Sequence, residues 1–260
     1  MNVNKRAKGI RTMVLVAAAL VATLWTGTAS AALVYVTAAW LDARAPAVQD
    51  VKAALEARGN TVTVGVKADA IGTVNLTGYD VVLLNAGGAN GVIIIPQAGQ
   101  DNLVGFVNGG GALVTCEWFI WKDDANLTFL GILPAASPKL FSTTLGQVYT
   151  QATADPTINA GLGAMVAFDT AYYAGTATIM TAKPGATVFY TAGVGGDGLV
   201  GWEVGAGRVA SFNCVVGTDN MANADFKTLL GNTVAWAPEP ATLTLMGFGL
   251  VGVLAARRRR

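Results

Sequence analysis

The sequence predicts a single α/β domain over residues 32–237, with a mostly parallel sheet flanked by helices. Short apolar runs alternate with amphipathic helical segments, at a spacing typical of parallel strands joined by crossover helices. Glycines follow two of the helical segments, where helices commonly end. A stretch rich in Thr, Ala and Gly over residues 137–206 breaks this rhythm and predicts an irregular β-rich insertion.

The first half of the domain alternates strand and helix. Strands are expected at LVYVT, TVTVGV, YDVVLLN and ALVTC, which are residues 33–37, 61–66, 79–85 and 112–116. Helices are expected over 45–58 and after Pro96, because apolar residues recur there on one face. The inward-facing residues are Val48, Val51 and Leu55 in the first helix and Leu103, Val104 and Val107 in the second.

The second half of the domain ends in a further strand and helix. GRVASFNC at 207–214 predicts the strand, and apolar periodicity over 225–236 predicts the helix. The helix is expected to bury Phe226, Leu229, Leu230 and Val234. The β-like runs of the insertion are ATIMT, ATVFY and GLVGWEV, at 177–181, 186–190 and 198–204.

The N-terminus has the pattern of a secretory signal over residues 1–31. Four basic residues precede the apolar run Met13–Leu24, and the small residues Ala29, Ser30 and Ala31 follow it. A basic start, a short apolar core and an A-x-A site predict removal by signal peptidase. The alternative is an uncleaved N-terminal anchor.

Residues 238–260 combine a turn, an apolar segment and a basic cluster. The turn is Pro238, Glu239 and Pro240, and the basic cluster is Arg257, Arg258, Arg259 and Arg260. The apolar segment 241–256 would be about 24 Å long as a helix, at roughly 1.5 Å per residue. A hydrocarbon core is about 30 Å thick, so the segment indicates a temporary membrane stop, with the arginines on the cytoplasmic side.

This order of parts resembles the PEP-CTERM sorting signal of Gram-negative bacteria. The resemblance implies transient membrane insertion of the C-terminal helix, recognition by an exosortase and cleavage near Pro238–Pro240. It further implies delivery to the cell surface or the extracellular matrix, and a link to exopolysaccharide and biofilm. The alternative is an ordinary C-terminal tail anchor.

Composition excludes several classes of function. The chain has no histidine, which excludes His-based zinc sites and Ser-His or Cys-His catalysis. Between residues 32 and 237 there are nine basic and fifteen acidic residues, a net formal charge of −6. Nucleic acid is therefore not an expected partner. No cofactor or metal is predicted, and no EF-hand calcium loop occurs.

Five segments together resemble the class I glutamine amidotransferase-like fold, especially its trehalose-utilisation-type branch. They are YDVVLLNAGG (79–88), LVGFVNGGGALVT (103–115), DPTINAGL (155–162), GWEVGAGRVASFN (201–213) and FKTLLGNTVAWA (226–237), and they cover nearly the whole domain. The resemblance implies a flavodoxin-like sheet, with a catalytic cysteine at Cys116 and a histidine where this chain has Asn213 and Cys214. Because that histidine is missing, amidotransferase activity is not expected and no catalytic residue is assigned.

The same resemblance places both cysteines, Cys116 and Cys214, at one edge of the sheet. Export makes oxidation permissible, so a Cys116–Cys214 disulfide is expected. Two isolated buried thiols are the alternative.

The segment CEWFIWKDD (116–124) follows a predicted strand, at the place where open α/β sheets bind ligands. The ligand-crevice candidates are Asn85, Glu117, Trp118, Trp121 and Asn213. Indole rings can cover the C–H face of a sugar while carboxylates meet its hydroxyls. Packing of both tryptophans in the core is the alternative.

Three functions are consistent with these patterns. The first is a non-catalytic surface or matrix protein that binds polysaccharide through the crevice. The second is an exported carbohydrate hydrolase, in which Glu117 acts with Asp123 or Asp169. The third is a structural matrix component without a small-molecule ligand.

Overall fold

The computed structural model describes residues 31–39, 45–85, 94–116, 119–120, 126–137, 141–142, 146–168, 177–193 and 195–236. The α-helices in these ranges are α1 (Ala45–Glu56), α2 (Gln97–Asn108), α3 (Leu127–Ile132), α4 (Thr218–Ala222) and α5 (Ala224–Ala235). A short 3-10 helix covers Ala68–Thr73.

The strands form one large sheet and two small ladders. The strands of the large sheet are β1 (Leu33–Val36), β2 (Thr61–Val64), β3 (Val81–Leu84), β4 (Ala112–Thr115), β7 (Gln147–Gln151), β8 (Met165–Phe168), β11 (Thr187–Ala192), β12 (Asp197–Val204) and β13 (Gly207–Phe212). Their order is β2-β1-β3-β4-β13-β12-β11-β7-β8. The small ladders pair β5 (Ala135–Ala136) with β10 (Thr181–Ala182), and β6 (Phe141–Ser142) with β9 (Ala177–Thr178).

The parallel half of the sheet consists of β2, β1, β3, β4 and β13. Every residue of β3 and β4 is buried, as expected for parallel strands covered on both faces. One group of helices contains α1, α4 and α5, and the other contains α2, α3 and the 3-10 helix. The predicted α/β domain, with a large sheet flanked by helices, is confirmed.

The β-rich segment between β4 and β13 extends this sheet. Its strands β12, β11, β7 and β8 join beyond β13 in antiparallel pairs. Buried and exposed residues alternate along β7 and β8, as in a sheet with one solvated face. The run ATIMT, expected as one strand, instead contributes to two short strands, β9 and β10.

The predicted inward-facing residues form the core, with one exception. Val104 is only partly buried. The buried ones are Val48, Val51, Leu55, Leu103, Val107, Phe226, Leu229, Leu230 and Val234. Apolar periodicity therefore identified the inner face of each long helix.

No helix in the described part of the chain is long and apolar enough to cross a membrane. The predicted apolar segment 241–256 and the arginines after it lie outside the described residues. The predicted signal peptide also lies outside them, apart from residue 31.

Strand β13 begins where α2 ends, and the two backbones are in close contact. A methyl group on Gly207 would overlap the carbonyl oxygens of Val107, near the end of α2, and of Gly111, just before β4. Gly207 is buried, so these groups cannot move aside without disturbing a close-packed interior. Because Gly207 has no side chain, the end of α2 can lie directly against the middle of the sheet.

The expected Cys116–Cys214 disulfide is wrong, because both residues are buried thiols. The sulfur of Cys116 donates to the carbonyl oxygen of Leu84 in β3, over 3.4 Å. The sulfur of Cys214 lies 3.3 Å from the hydroxyl of Tyr149 in β7. The two thiols therefore contact groups on opposite sides of the β4–β13 pair.

Strand register explains why lying at the same edge of the sheet was not enough for a disulfide. Thr115 pairs with Ser211 in the parallel ladder, so Cys116 comes opposite Phe212. Cys214 lies two positions further along the chain, beyond the end of the strand. A disulfide needs closely apposed, correctly directed β-carbons, and the sequence alone did not give this register.

We expect Gly207→Ala to lower the free energy of unfolding by about 2–3 kcal/mol, since overpacking forces the backbone to shift. Gly105→Ala is the matched control, because Gly105 lies on the exposed face of α2 with open space around its α-carbon. It should raise the free energy of unfolding by up to about 1 kcal/mol, through helix propensity. Urea denaturation measures both values. Equal effects of the two substitutions would contradict the proposed close contact.

We expect both cysteines to be alkylated after denaturation without reductant, and neither to react in the native protein, because both are buried. Intact mass after alkylation measures this, with a fully reduced sample as control. A native mass lower by two hydrogens, with no adduct after denaturation, would show that the disulfide forms after all.

Candidate functional site

The C-terminal ends of the central parallel strands meet at one edge of the sheet, where open α/β sheets bind ligands. The polar side chains described there are neutral, and we call them the edge cluster. Its members are Thr37, Asn85, Cys116, Tyr149, Asn213, Cys214 and Asn220. None of them is more than 1% exposed.

Thr37 and Asn85 join the ends of β1 and β3. The backbone N–H of Asn85 donates to the hydroxyl of Thr37 over 2.9 Å. That hydroxyl donates in turn to the carbonyl oxygen of Asn85 over 3.3 Å. These reciprocal hydrogen bonds hold the backbone of Asn85 at the edge where the sequence placed it.

Tyr149 brings the antiparallel half of the sheet into the edge cluster. Its ring packs on Gly198 of β12, where an added Cβ would come within 2.8 Å of the ring. The Tyr149 hydroxyl donates to Oδ1 of Asn213 over 2.6 Å, and it lies 3.3 Å from Sγ of Cys214. A side chain from β7 therefore reaches the end of β13 because Gly198 leaves its path open.

Two asparagines of the edge cluster have hydrogen-bonding atoms left over. Asn213 uses Oδ1 for the Tyr149 hydroxyl, and its Nδ2 has no partner in the described part of the chain. Asn220 donates from Nδ2 to the carbonyl oxygen of Val215 over 2.5 Å, while its Oδ1 has no partner among the described residues. A buried unpaired polar atom costs about 1–3 kcal/mol. The edge cluster therefore offers one unused donor and one unused acceptor.

The structure describes two of the five ligand-crevice candidates. Asn85 and Asn213 lie at the same edge of the sheet, as the sequence predicted. Glu117, Trp118 and Trp121 lie outside the described residues.

Sequence reasoning missed three members of the edge cluster, Thr37, Tyr149 and Asn220. Thr37 was placed only as the last residue of the predicted strand 33–37. Tyr149 belongs to a strand that was not predicted, and its path over Gly198 joins segments far apart in the chain. Asn220 lies in α4, which is too short to show periodicity. The two aspartates considered as partners of Glu117, Asp123 and Asp169, are outside the described residues.

The residues with shifted pKa values lie outside the edge cluster. Burial lowers the pKa of Lys183, whose ammonium lies 5.5 Å from the centre of the Trp202 ring. Burial also raises the pKa of Tyr190, and a hydrogen bond from Asn159 partly offsets that rise. Within the described ranges, no group of His, Cys, Asp and Glu has a metal-binding arrangement. The described edge cluster therefore consists of neutral hydrogen-bonding groups and supplies no charged acid or base.

A concave feature, the aromatic cleft, lies at the opposite end of β13 from the edge cluster. Its volume is about 550 Å³. Gly201 lies at its base, where an added Cβ would come 2.8 Å from the Phe189 ring and 3.0 Å from the Trp236 ring. The charged residues that line it are Asp155, Glu203 and Arg208.

Phe189, Arg208 and Trp236 form a contact in this cleft that we call the C-terminal clamp. The guanidinium of Arg208 lies 5.1 Å from the centre of the Trp236 ring, and its Nη1 donates to the Trp236 carbonyl oxygen over 3.0 Å. Phe189 meets the same ring edge to face, with centroids 5.3 Å apart. Trp236 is the last residue described, so the clamp holds the end of the described domain.

Comparison with known proteins assigns the segment that follows the clamp. Residues 237–260 match the family model described as the PEP-CTERM protein-sorting motif. The match contains the predicted Pro238–Pro240 turn and the terminal arginines. No curated protein matches the sequence.

Solved structures share the fold at low sequence identity. A cytoplasmic protein from Salmonella typhimurium has a TM-score of 0.61 at 14% identity, over 80% of this chain and 100% of that chain. A ThuA-like protein from Parabacteroides merdae has a TM-score of 0.58 at 14% identity, over 80% and 90% of the two chains. A β-galactosidase from Rahnella has a TM-score of 0.56 at 17% identity, over 78% of this chain and 31% of that chain.

The sequence match and the structural matches agree with both resemblances noted from the sequence. The motif implies recognition by exosortase during export. The chain therefore carries a PEP-CTERM sorting motif behind a domain with the fold of ThuA-like, trehalose-utilisation-type proteins, and it is exported and sorted through the membrane to the cell surface of a Gram-negative bacterium.

Proposed function

We propose that this protein is a non-catalytic component of the cell surface or extracellular matrix, whose degenerate amidotransferase-like domain binds an uncharged polysaccharide. In this proposal signal peptidase removes residues 1–31 before sorting. The parallel strand order β2-β1-β3-β4-β13 supports the flavodoxin-like class, which has this order.

The absence of catalysis is inferred from the state of the edge cluster. Cys116 is 1% exposed, and its thiol donates to a backbone carbonyl. A nucleophilic thiol instead needs solvent access and a basic or cationic neighbour. The position expected for a histidine holds Asn213, whose amide accepts from Tyr149. An amide cannot accept the proton of a thiol, so the pair cannot perform the chemistry implied for the relatives.

Binding of a polysaccharide is inferred from the unused Nδ2 of Asn213, which is the observation that carries the proposal. Because Asn213 is fully buried, the ligand has to displace the groups that cover this atom. This buried donor, with the unused acceptor of Asn220, suits a hydroxyl-rich ligand, because a hydroxyl both donates and accepts. Trp118 and Trp121, which follow β4 in the sequence, would supply flat apolar surfaces for sugar rings. The net charge of −6 over residues 32–237 disfavours an anionic polysaccharide.

We expect the exported domain to be retarded in an affinity gel that contains exopolysaccharide from its host. Trp118→Ala with Trp121→Ala should weaken that retardation at least about tenfold, since each stacked ring contributes on the order of 1 kcal/mol. Asn213→Leu should weaken it as well, by removing the donor. Trp202→Phe is the matched control, because Trp202 lies in β12 and donates to the carbonyl oxygen of Ile132 instead. Unchanged retardation of both the double tryptophan variant and Asn213→Leu would exclude the crevice as a saccharide site.

We expect no release of reducing ends when the wild-type protein is incubated with the same polysaccharide. Glu117→Gln should change binding only modestly, because the proposal gives Glu117 no catalytic role. If the wild-type protein releases reducing ends and Glu117→Gln does not, the protein is instead a hydrolase. A time course with a commercial glycosidase controls for the sensitivity of the assay.

A further inference from the structure

We propose that the C-terminal clamp controls the rate of sorting cleavage, because it must open before exosortase can take the PEP motif. The proposal concerns Phe189, Arg208 and Trp236, which lie at the opposite edge of the sheet from the edge cluster. It is therefore independent of saccharide binding.

The clamp closes on the residue next to the sorting motif. The match to the PEP-CTERM motif begins at residue 237, directly after Trp236. Pro238 is two positions from Trp236, so their α-carbons are at most about 7 Å apart. A cut near Pro238 therefore requires an enzyme to work directly beside the folded domain.

The residues before the motif are helical, so they cannot enter an enzyme site as an extended strand. Helix α5 continues to Ala235, and the backbone N–H of Trp236 still donates to the carbonyl oxygen of Asn232 over 2.8 Å. The carbonyl of Trp236 is bound to Arg208. Cleavage of a folded chain proceeds through locally opened states, so the last turn of α5 and its contact with Arg208 have to open.

The strength of the clamp comes from Trp236 and Arg208 rather than from the neighbouring ion pair. Glu203 lies 3.2 Å from Nη2 of Arg208, but its side chain is 74% exposed, and exposed ion pairs add little stability. Stacking of the guanidinium on an indole ring, the edge contact with Phe189 and a hydrogen bond to a carbonyl each add more. Loss of the indole ring removes the first two of these at once.

Opening of the clamp can remain local because the helix before it is anchored. Leu230 and Val234 are at most 1% exposed, whereas Ala235 is exposed and Trp236 is partly exposed. At the end of α5, burial therefore stops at Val234, and only Ala235 and Trp236 have to be released. When opening is fast, cleavage tracks the population of the open form, so a weaker clamp means faster processing.

The test is a pulse-chase measurement of precursor conversion, with full-length variants expressed in a host that contains exosortase. We expect Trp236→Ala to be converted at least about tenfold faster than the wild type, since it loses both ring contacts. Trp236→Phe keeps an aromatic ring and should be intermediate. Arg208→Lys should also be several-fold faster, because an ammonium cannot both stack and donate as the planar guanidinium does.

A matched control separates clamp release from general destabilisation. Leu103→Ala truncates a buried side chain of α2, which belongs to the other helix group. It should lower the melting temperature without changing the conversion rate. Conversion of Trp236→Ala at or below the wild-type rate would overturn the proposal, as would equal acceleration by Leu103→Ala at a matched loss of melting temperature. If Trp236→Ala does not accumulate, Arg208→Lys decides, and an unchanged rate overturns the proposal. Saccharide retardation of these variants reports separately on the proposed function.

Discussion

Strand β13 connects the two halves of the sheet, and it can do so only because Gly207 lets the end of α2 lie against it. The strand pairs in parallel with β4 and antiparallel with β12. The hydroxyls of Thr115 and Ser211, 2.7 Å apart, join the parallel side where the two strands end. Once β13 is fixed, its ends lie at opposite edges of the sheet, with Arg208 at one and Asn213 at the other. One strand therefore positions both the C-terminal clamp and the edge cluster.

The edge cluster lies at the edge where open α/β sheets bind ligands, and its described side chains are neutral. In the described part of the chain, amides, hydroxyls and thiols hold one another where a charged catalytic set would be needed. Tyr149 is central to this arrangement, since its hydroxyl contacts both Asn213 and Cys214.

The parts of the fold predicted correctly are those with a strong local signal. Repeated apolar residues located α1, α2 and α5, and buried β-branched runs located β1, β3 and β4. Strands β7 and β8 were missed because their stability depends on pairing with neighbours distant in sequence, which the local pattern does not show. The cysteine pairing failed for a related reason, since the pairing of Thr115 with Ser211 depends on tertiary register. The same limit applied to the site, where Asn85 and Asn213 could be placed from strand ends but Tyr149 could not.

The central ladder between β4 and β13 joins residues that are 96 positions apart, and this has a consequence for how the protein folds after export. Non-local pairing of this kind slows folding, and β4 has no neighbour on that side until β13 has arrived. Until then Cys116 lacks the cover that the finished sheet gives it, in a compartment where thiols are readily oxidised. Folding and oxidation therefore compete, and the reduced, buried cysteines of the native domain depend on the sheet closing first. The native domain therefore has to form before a disulfide can.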